Sequence, residues 1–173
     1  MVATRAILGF LTGFTIGLFG VFIFSNSVYM GISIVEIFGR IASSINDISK
    51  FSAGFYELFF FSFYFDFFSL FNPETFASVN FMEALYPPLM GWLFAGLVSG
   101  AIIKGIKRSV INSVLIIVVM ILLLLCLSII SGANLTFVFA LNIVETLGGI
   151  FTALFAVSIG GIIGGALSGK YID

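Results

Sequence analysis

Four stretches of this chain, residues 6–24, 87–103, 110–130 and 143–168, hold one charged residue among them, Glu145. Each approaches or exceeds the roughly 20 apolar residues that a helix needs to cross the hydrocarbon core of a bilayer. Hydrocarbon offers backbone groups no water, so apolar segments of this length satisfy their N–H and C=O groups internally, as helices. That feature sets the fold class. The chain reads as an all-α integral membrane protein, with 1–173 as a single membrane domain and four transmembrane helices. Composition agrees: 9% of the residues are charged and 61% are hydrophobic, where soluble domains carry about 25% charge.

Local signals bound the helices. Pro87 and Pro88 suit a first helical turn. Asn142 with Glu145 fits a capping box, and Gly132 and Asn134 mark the turn before it. The first stretch follows Arg5 and precedes Ser25-Asn26-Ser27, the layout of a secretory signal. Its apolar run of 19 residues exceeds the about 7–15 of a signal core, which predicts a retained anchor. Orientation follows from Lys104, Lys107 and Arg108, clustered in the short connection between the second and third helices. Basic loops face the cytoplasm. An alternating path then places Arg5, Lys170 and both termini inside, with Glu74, Glu83 and Glu145 outside. Tyr86 and Trp92 fall near the outer boundary and Tyr171 near the inner one, where amphipathic rings concentrate. The expected location is the cell membrane, as a multi-pass protein.

Residues 29–82 fit less simply. Ile34, Ile37, Phe38, Ile41, Ile45 and Ile48 recur at spacings of three and four, one face of a helix. Glu36, Arg40, Ser43, Ser44 and Asp47 fill the other side, and Glu36 with Arg40 is an i,i+4 pair. The following stretch is crowded with phenylalanine and interrupted by Glu57, Ser62, Asp66 and Ser69, and Asn72-Pro73-Glu74 reads as a new helix start. Two architectures fit. In one, the region lies along the outer membrane face as interfacial amphipathic and aromatic helices. In the other, it forms a hairpin through the bilayer, giving a six-helix bundle. The second would bury Glu36 and Arg40 at about 2.5–3.5 kcal/mol each on translocon scales. A clean amphipathic pattern with scattered charge is also the mark of an interfacial helix. Four spans are therefore expected.

The clearest motif is glycine spacing. Gly9, Gly13 and Gly17 repeat every fourth position in the first helix, Gly96 and Gly100 in the second, and Gly161, Gly165 and Gly169 in the last. Such strips let backbones approach closely, which drives helix association in lipid. These eight positions are the expected helix-packing residues. The third helix has no glycine between Val110 and Ile130 and suits a lipid-facing role.

The residues that carry most chemistry are missing. There is no histidine, and Cys126 is the only cysteine. The usual general base and the thiolate clusters of iron–sulfur and structural zinc sites are thereby excluded. Neither a phosphate loop nor a dinucleotide fingerprint is present. Ser99 and Ser168 stand beside glycines but have no histidine to activate them. No cofactor, no metal and no enzyme activity are expected. The basic cluster is too small to argue for nucleic acid. Glu36, Arg40, Glu57 and Asp66 form the possible polar site. A carboxylate inside a membrane is a functional hypothesis by default, but the interfacial placement makes these residues the wet face of surface helices. The cluster Phe59-Phe60-Phe61, Phe63, Phe65, Phe67 and Phe68 is expected to contact lipid. The sequon Asn134-Leu-Thr136 lies too near the membrane for regular use.

These readings point to a non-catalytic membrane subunit or scaffold. Its partners would be the lipid bilayer and other membrane proteins or further copies of itself, packed through the glycine faces and the outer amphipathic helices. A six-helix transporter or substrate-capture component is the alternative. An oligomeric pore ranks last, because no spanning helix carries the long polar stripe that a pore needs.

Overall fold

The structure, a computed structural model, describes residues 2–64, 85–133 and 143–169. Its order is α1 (Val2–Phe24), β1 (Val28–Tyr29), β2 (Ile32–Ser33), α2 (Ile34–Ser43), α3 (Ile48–Phe63), α4 (Tyr86–Ile103), α5 (Ile106–Ser131) and α6 (Ile143–Leu167). Four of the helices are long and apolar enough to cross a membrane, over Thr4–Phe24, Tyr86–Ile103, Ile106–Ser131 and Leu147–Leu167. These match the four stretches read from the sequence. The helix α2 has 10 residues, a length of about 15 Å at 1.5 Å per residue. That is about half of a hydrocarbon core.

Local chemistry explains each boundary. The helix α1 closes through Asn26, at φ 54°, while the Ser27 amide donates back to the Phe22 carbonyl at 2.7 Å. This is the Schellman arrangement, in which a left-handed residue ends a helix. A two-residue hairpin follows, pairing Val28 with Ser33 and Tyr29 with Ile32. Its tip, Met30 and Gly31, has φ of 53° and 79°, the positive pair that a tight hairpin turn demands. Ser33 then caps α2 in a reciprocal box with Glu36, and Asp47 caps α3 by accepting from the Ser49 and Lys50 amides. Pro87 and Pro88 fall in the first turn of α4. Gly132, at φ 72°, ends α5. The tight turn between α4 and α5 uses Lys104 and Gly105 at φ 64° and 83°.

The helix α4 packs between α1 and α6, and α5 packs on α6 and α3. Glycine contacts set the directions. Going up α1, Gly9, Gly13, Gly17 and Gly20 meet Ile103, Ser99, Trp92 and Gly91 in turn, so α1 and α4 are antiparallel. Gly160 and Gly164 of α6 meet Leu93 and Leu97 of α4, so those two run parallel. The first turn of α1, the last turn of α6 and the α4–α5 turn therefore share one end of the bundle.

The helix α3 starts at the other end, where Ser49 Oγ donates to the Ser131 carbonyl at 3.3 Å. From there it inclines inward between α1 and α5. Its last turn reaches Leu18 and Trp92, and Trp92 stands about 9 Å along α4 from Tyr86 at 1.5 Å per residue. Phe59, Phe61 and Phe63 are core residues, packed edge-on or stacked against Phe14, Phe22 and Trp92. The expectation that this aromatic cluster contacts lipid is corrected for these three rings. Its physical cause is the tilt of α3, which turns one aromatic face into the bundle. Ile116, Ile117, Met120 and Leu124 are likewise buried, so one side of the glycine-free α5 is core and only the other, with Ile111, Leu115 and Leu122, is open.

Candidate functional site

The sequence pointed to the amphipathic stretch, and α2 with α3 is where the structure gathers polar groups next to unusual packing. The Arg40 Nη2 donates to Glu57 Oε1 at 3.0 Å. This pair joins α2 to α3 and replaces the expected pairing of Arg40 with Glu36. Glu36 is engaged elsewhere: its Oε2 accepts from the Ser33 amide, because a carboxylate in a first turn satisfies an otherwise orphaned N–H. The sequence Ser33-x-x-Glu36 before an apolar run carried that signal. Asp66 lies outside the described residues, as do the Asn134 sequon, Asn142 and the side chain of Glu145.

Behind the ion pair, Ile37 and Ile41 are buried, with Ile41 against Gly54 of α3. Phe38 stacks on Phe19 with centroids 6.1 Å apart. Tyr29 is fully buried and donates from its hydroxyl to the Tyr64 carbonyl at 2.9 Å. Burial raises its phenol well above the usual range, and neighbouring Tyr64 adds to this. Asp47 is displaced in the opposite direction. The hydrogen bond from the Lys50 amide, with the nearby Lys50 ammonium, holds its carboxyl below the usual carboxylate range.

Two buried hydrogen bonds seat α3 on its neighbours. Trp92 Nε1 donates to the Ser62 carbonyl at 2.7 Å. Ser62 Oγ lies 3.1 Å from the Leu18 carbonyl and 3.3 Å from that of Leu58, and shares its one proton between them. Trp92 is thus a clamp on α3 and not the boundary aromatic that the sequence suggested; a lone tryptophan in a helix gives no sign of its partner. A second polar seam runs along α5, where Asn112 Nδ2 donates to Ser99 Oγ at 2.8 Å and Ser109 Oγ contacts the Gly105 and Gly100 carbonyls.

The glycines face inward. A Cβ on Gly9 would stand 2.5 Å from Ile103 Cγ1, on Gly13 2.6 Å from Ile116 Cδ1, and on Gly17 2.6 Å from the Trp92 ring. On Gly96 it would collide with the Val157 carbonyl, and on Gly100 it would stand 2.7 Å from that of Gly161. Gly161 and Gly165 lie against Ser113 Oγ and Ser109 Oγ. Seven of the eight expected positions thus contact other helices of the same chain. This corrects the idea that they offer a face to partners, since their surfaces are already filled. Gly169 differs: it has φ 78° and nothing within 4 Å of a built Cβ. It follows α6 as a left-handed terminus.

Among the described residues no three carboxylate or thiol side chains gather as a metal site would require. In comparisons with known proteins, no family model, no curated protein and no solved structure matches the chain.

Proposed function

We propose that this chain is a non-catalytic membrane subunit or scaffold, and that α2 with the start of α3 is its partner-binding surface. The observation that carries the reading is the contrast between two kinds of apolar residue. The glycine strips are spent on internal packing, whereas Val35, Ile45 and Ile48 are 72%, 69% and 75% exposed. These three flank the charged Arg40, Asp47, Lys50 and Glu57, at the end of the bundle where α1 and α5 finish. A mixed apolar and charged surface of this kind resembles the aromatic and aliphatic anchors with polar rims that proteins use to bind one another. The proposed location is the cell membrane, with the Lys104 turn and both termini cytoplasmic and the α2–α3 unit outside.

Purification from native membranes in mild detergent, with light scattering to give the protein mass, tests this reading. A defined complex heavier than the 18.7 kDa chain is expected. Ile45→Glu with Ile48→Glu should release the chain while its helical circular dichroism stays unchanged. A chain that runs alone in native extracts and moves a solute in proteoliposomes would replace this reading with the transporter. Labelling of cysteines placed at positions 43 and 50, after Cys126→Ser, fixes the side. Reaction of position 50 only from the cytoplasm would overturn the outer placement.

A further inference from the structure

Among the described residues, charged side chains are sorted between the two ends of the bundle. Glu36, Arg40, Asp47, Lys50 and Glu57 belong to α2, α3 and the turn between them. The opposite end carries Arg5, Lys104, Lys107 and Arg108, with no carboxylate there among the described residues. Helix packing places these four cations at one end. Gly9, one turn beyond Arg5, lies against Ile103 and the Ser99 carbonyl, which sets Arg5 at the same end of the bundle as Lys104. The Gly105 amide donates to the Gly165 carbonyl at 3.3 Å, tying the α4–α5 turn to α6. Lys107 and Arg108 then stand exposed on the first turn of α5. Cations at this position oppose the dipole of that helix.

We propose that this patch binds anionic lipid headgroups in the leaflet it faces. The helix α4 ends at Ile103 and α5 begins at Ile106. Lys104, Lys107 and Arg108 thus lie within one turn of apolar spans, at the depth of the headgroups. Their long stems can lie along apolar surface while the charged ends reach phosphate. Lysine meets a headgroup phosphate as a point charge and arginine as a planar fork of donors, and clusters of such residues beside a span attract anionic lipid. A soluble anion offers the same charge. The position at the edge of the hydrocarbon favours one that is anchored there. The inference holds whether or not the chain acts as a subunit.

The test uses the full chain in mild non-ionic detergent, given equal amounts of phosphatidylglycerol and phosphatidylcholine, with retained lipid counted by native mass spectrometry. Wild type should retain the anionic lipid over the zwitterionic one by roughly threefold or more, and the ratio should shrink in binding reactions at higher salt. Lys107→Gln with Arg108→Gln should bring the ratio close to one, while Lys107→Arg with Arg108→Lys should preserve it. Equal retention by wild type, or an unchanged ratio in the glutamine variant, overturns the proposal. If that variant misfolds, a wild-type ratio indifferent to salt overturns it equally. Inorganic phosphate should displace no more lipid than chloride of the same ionic strength. Greater displacement would mean a site for free phosphate and would also overturn the assignment.

Discussion

The indole Nε1 of Trp92 on α4 donates to the carbonyl of Ser62 in the last turn of α3, 2.7 Å away and out of reach of solvent. Removing the donor while keeping a ring isolates this bond. Trp92→Phe should retain stacking on Phe63 and leave a buried carbonyl without its partner, at a cost of about 1–3 kcal/mol. Thermal unfolding followed by circular dichroism checks it. A melting temperature equal to wild type would show that the bond does not hold α3.

The glycine contacts separate cleanly by position. Gly96→Ala would drive a methyl group into the Val157 carbonyl, and Gly160→Ala one into that of Leu93. Both should lower the melting temperature, because overpacking of this kind costs about 1–3 kcal/mol. Gly39→Ala, within α2 and with nothing near a built Cβ, should raise stability by about 0.4–1 kcal/mol. Equal effects at the three sites would refute close backbone packing.

The seam on α5 contains a paired and an unpaired polar group. Asn112 holds Ser99, whereas the buried Ser113 Oγ has no partner. Asn112→Leu strands the Ser99 hydroxyl and should destabilise by about 1–3 kcal/mol. Ser113→Ala removes an unsatisfied hydroxyl and should leave the melting temperature unchanged or higher.

The Arg40–Glu57 pair is partly exposed, at 52% and 24% for the two side chains. Solvent screening limits such a pair to about 0.2–1 kcal/mol. Arg40→Glu should destabilise, and adding Glu57→Arg should restore most of the loss. Glu36→Gln should leave the pair untouched. A double-mutant cycle with no coupling would remove the ion pair as a link between α2 and α3.

Asp47 gives the first turn of α3 a defined dependence on pH. Its carboxyl is held below the usual range in the folded chain. The stabilisation is therefore present above the unfolded-state value and is lost as pH falls through the folded one. Amides of Ser49 and Lys50 should lose protection at acid pH, measured by hydrogen exchange relative to unprotected rates. Asp47→Asn keeps a capping oxygen and should abolish that pH dependence. A retained dependence would assign it to another group.

The spans were legible because lipid leaves a chain few choices: long runs such as 110–130 become helices whatever packs on them. The capping box at Ser33 was also legible, being a local pattern of four residues. The seating of α3 was not. It depends on Trp92, Ser62 and Leu18 meeting across separations of 30 and 44 residues, and no local periodicity records such a meeting. The pairing of Arg40 with Glu57 was missed for the same reason. Spacing along one helix favoured Glu36, while the fold supplied a better-placed carboxylate from the next.

The two sides of α4 and α5 are built from different materials. Where α4 meets α6, main chain rests on main chain, and no rotamer change can open or shift that seam. Where α3 meets α1 and α5, rings fill much of the contact, and one side-chain hydrogen bond ties α3 to each neighbour, Ser62 to Leu18 and Ser49 to Ser131. The molecule therefore has one wall of main chain against main chain and one built largely of side chains. Substitution can retune the α3 wall ring by ring, whereas the α4–α6 wall has no room for a Cβ at Gly96, Gly160 or Gly164.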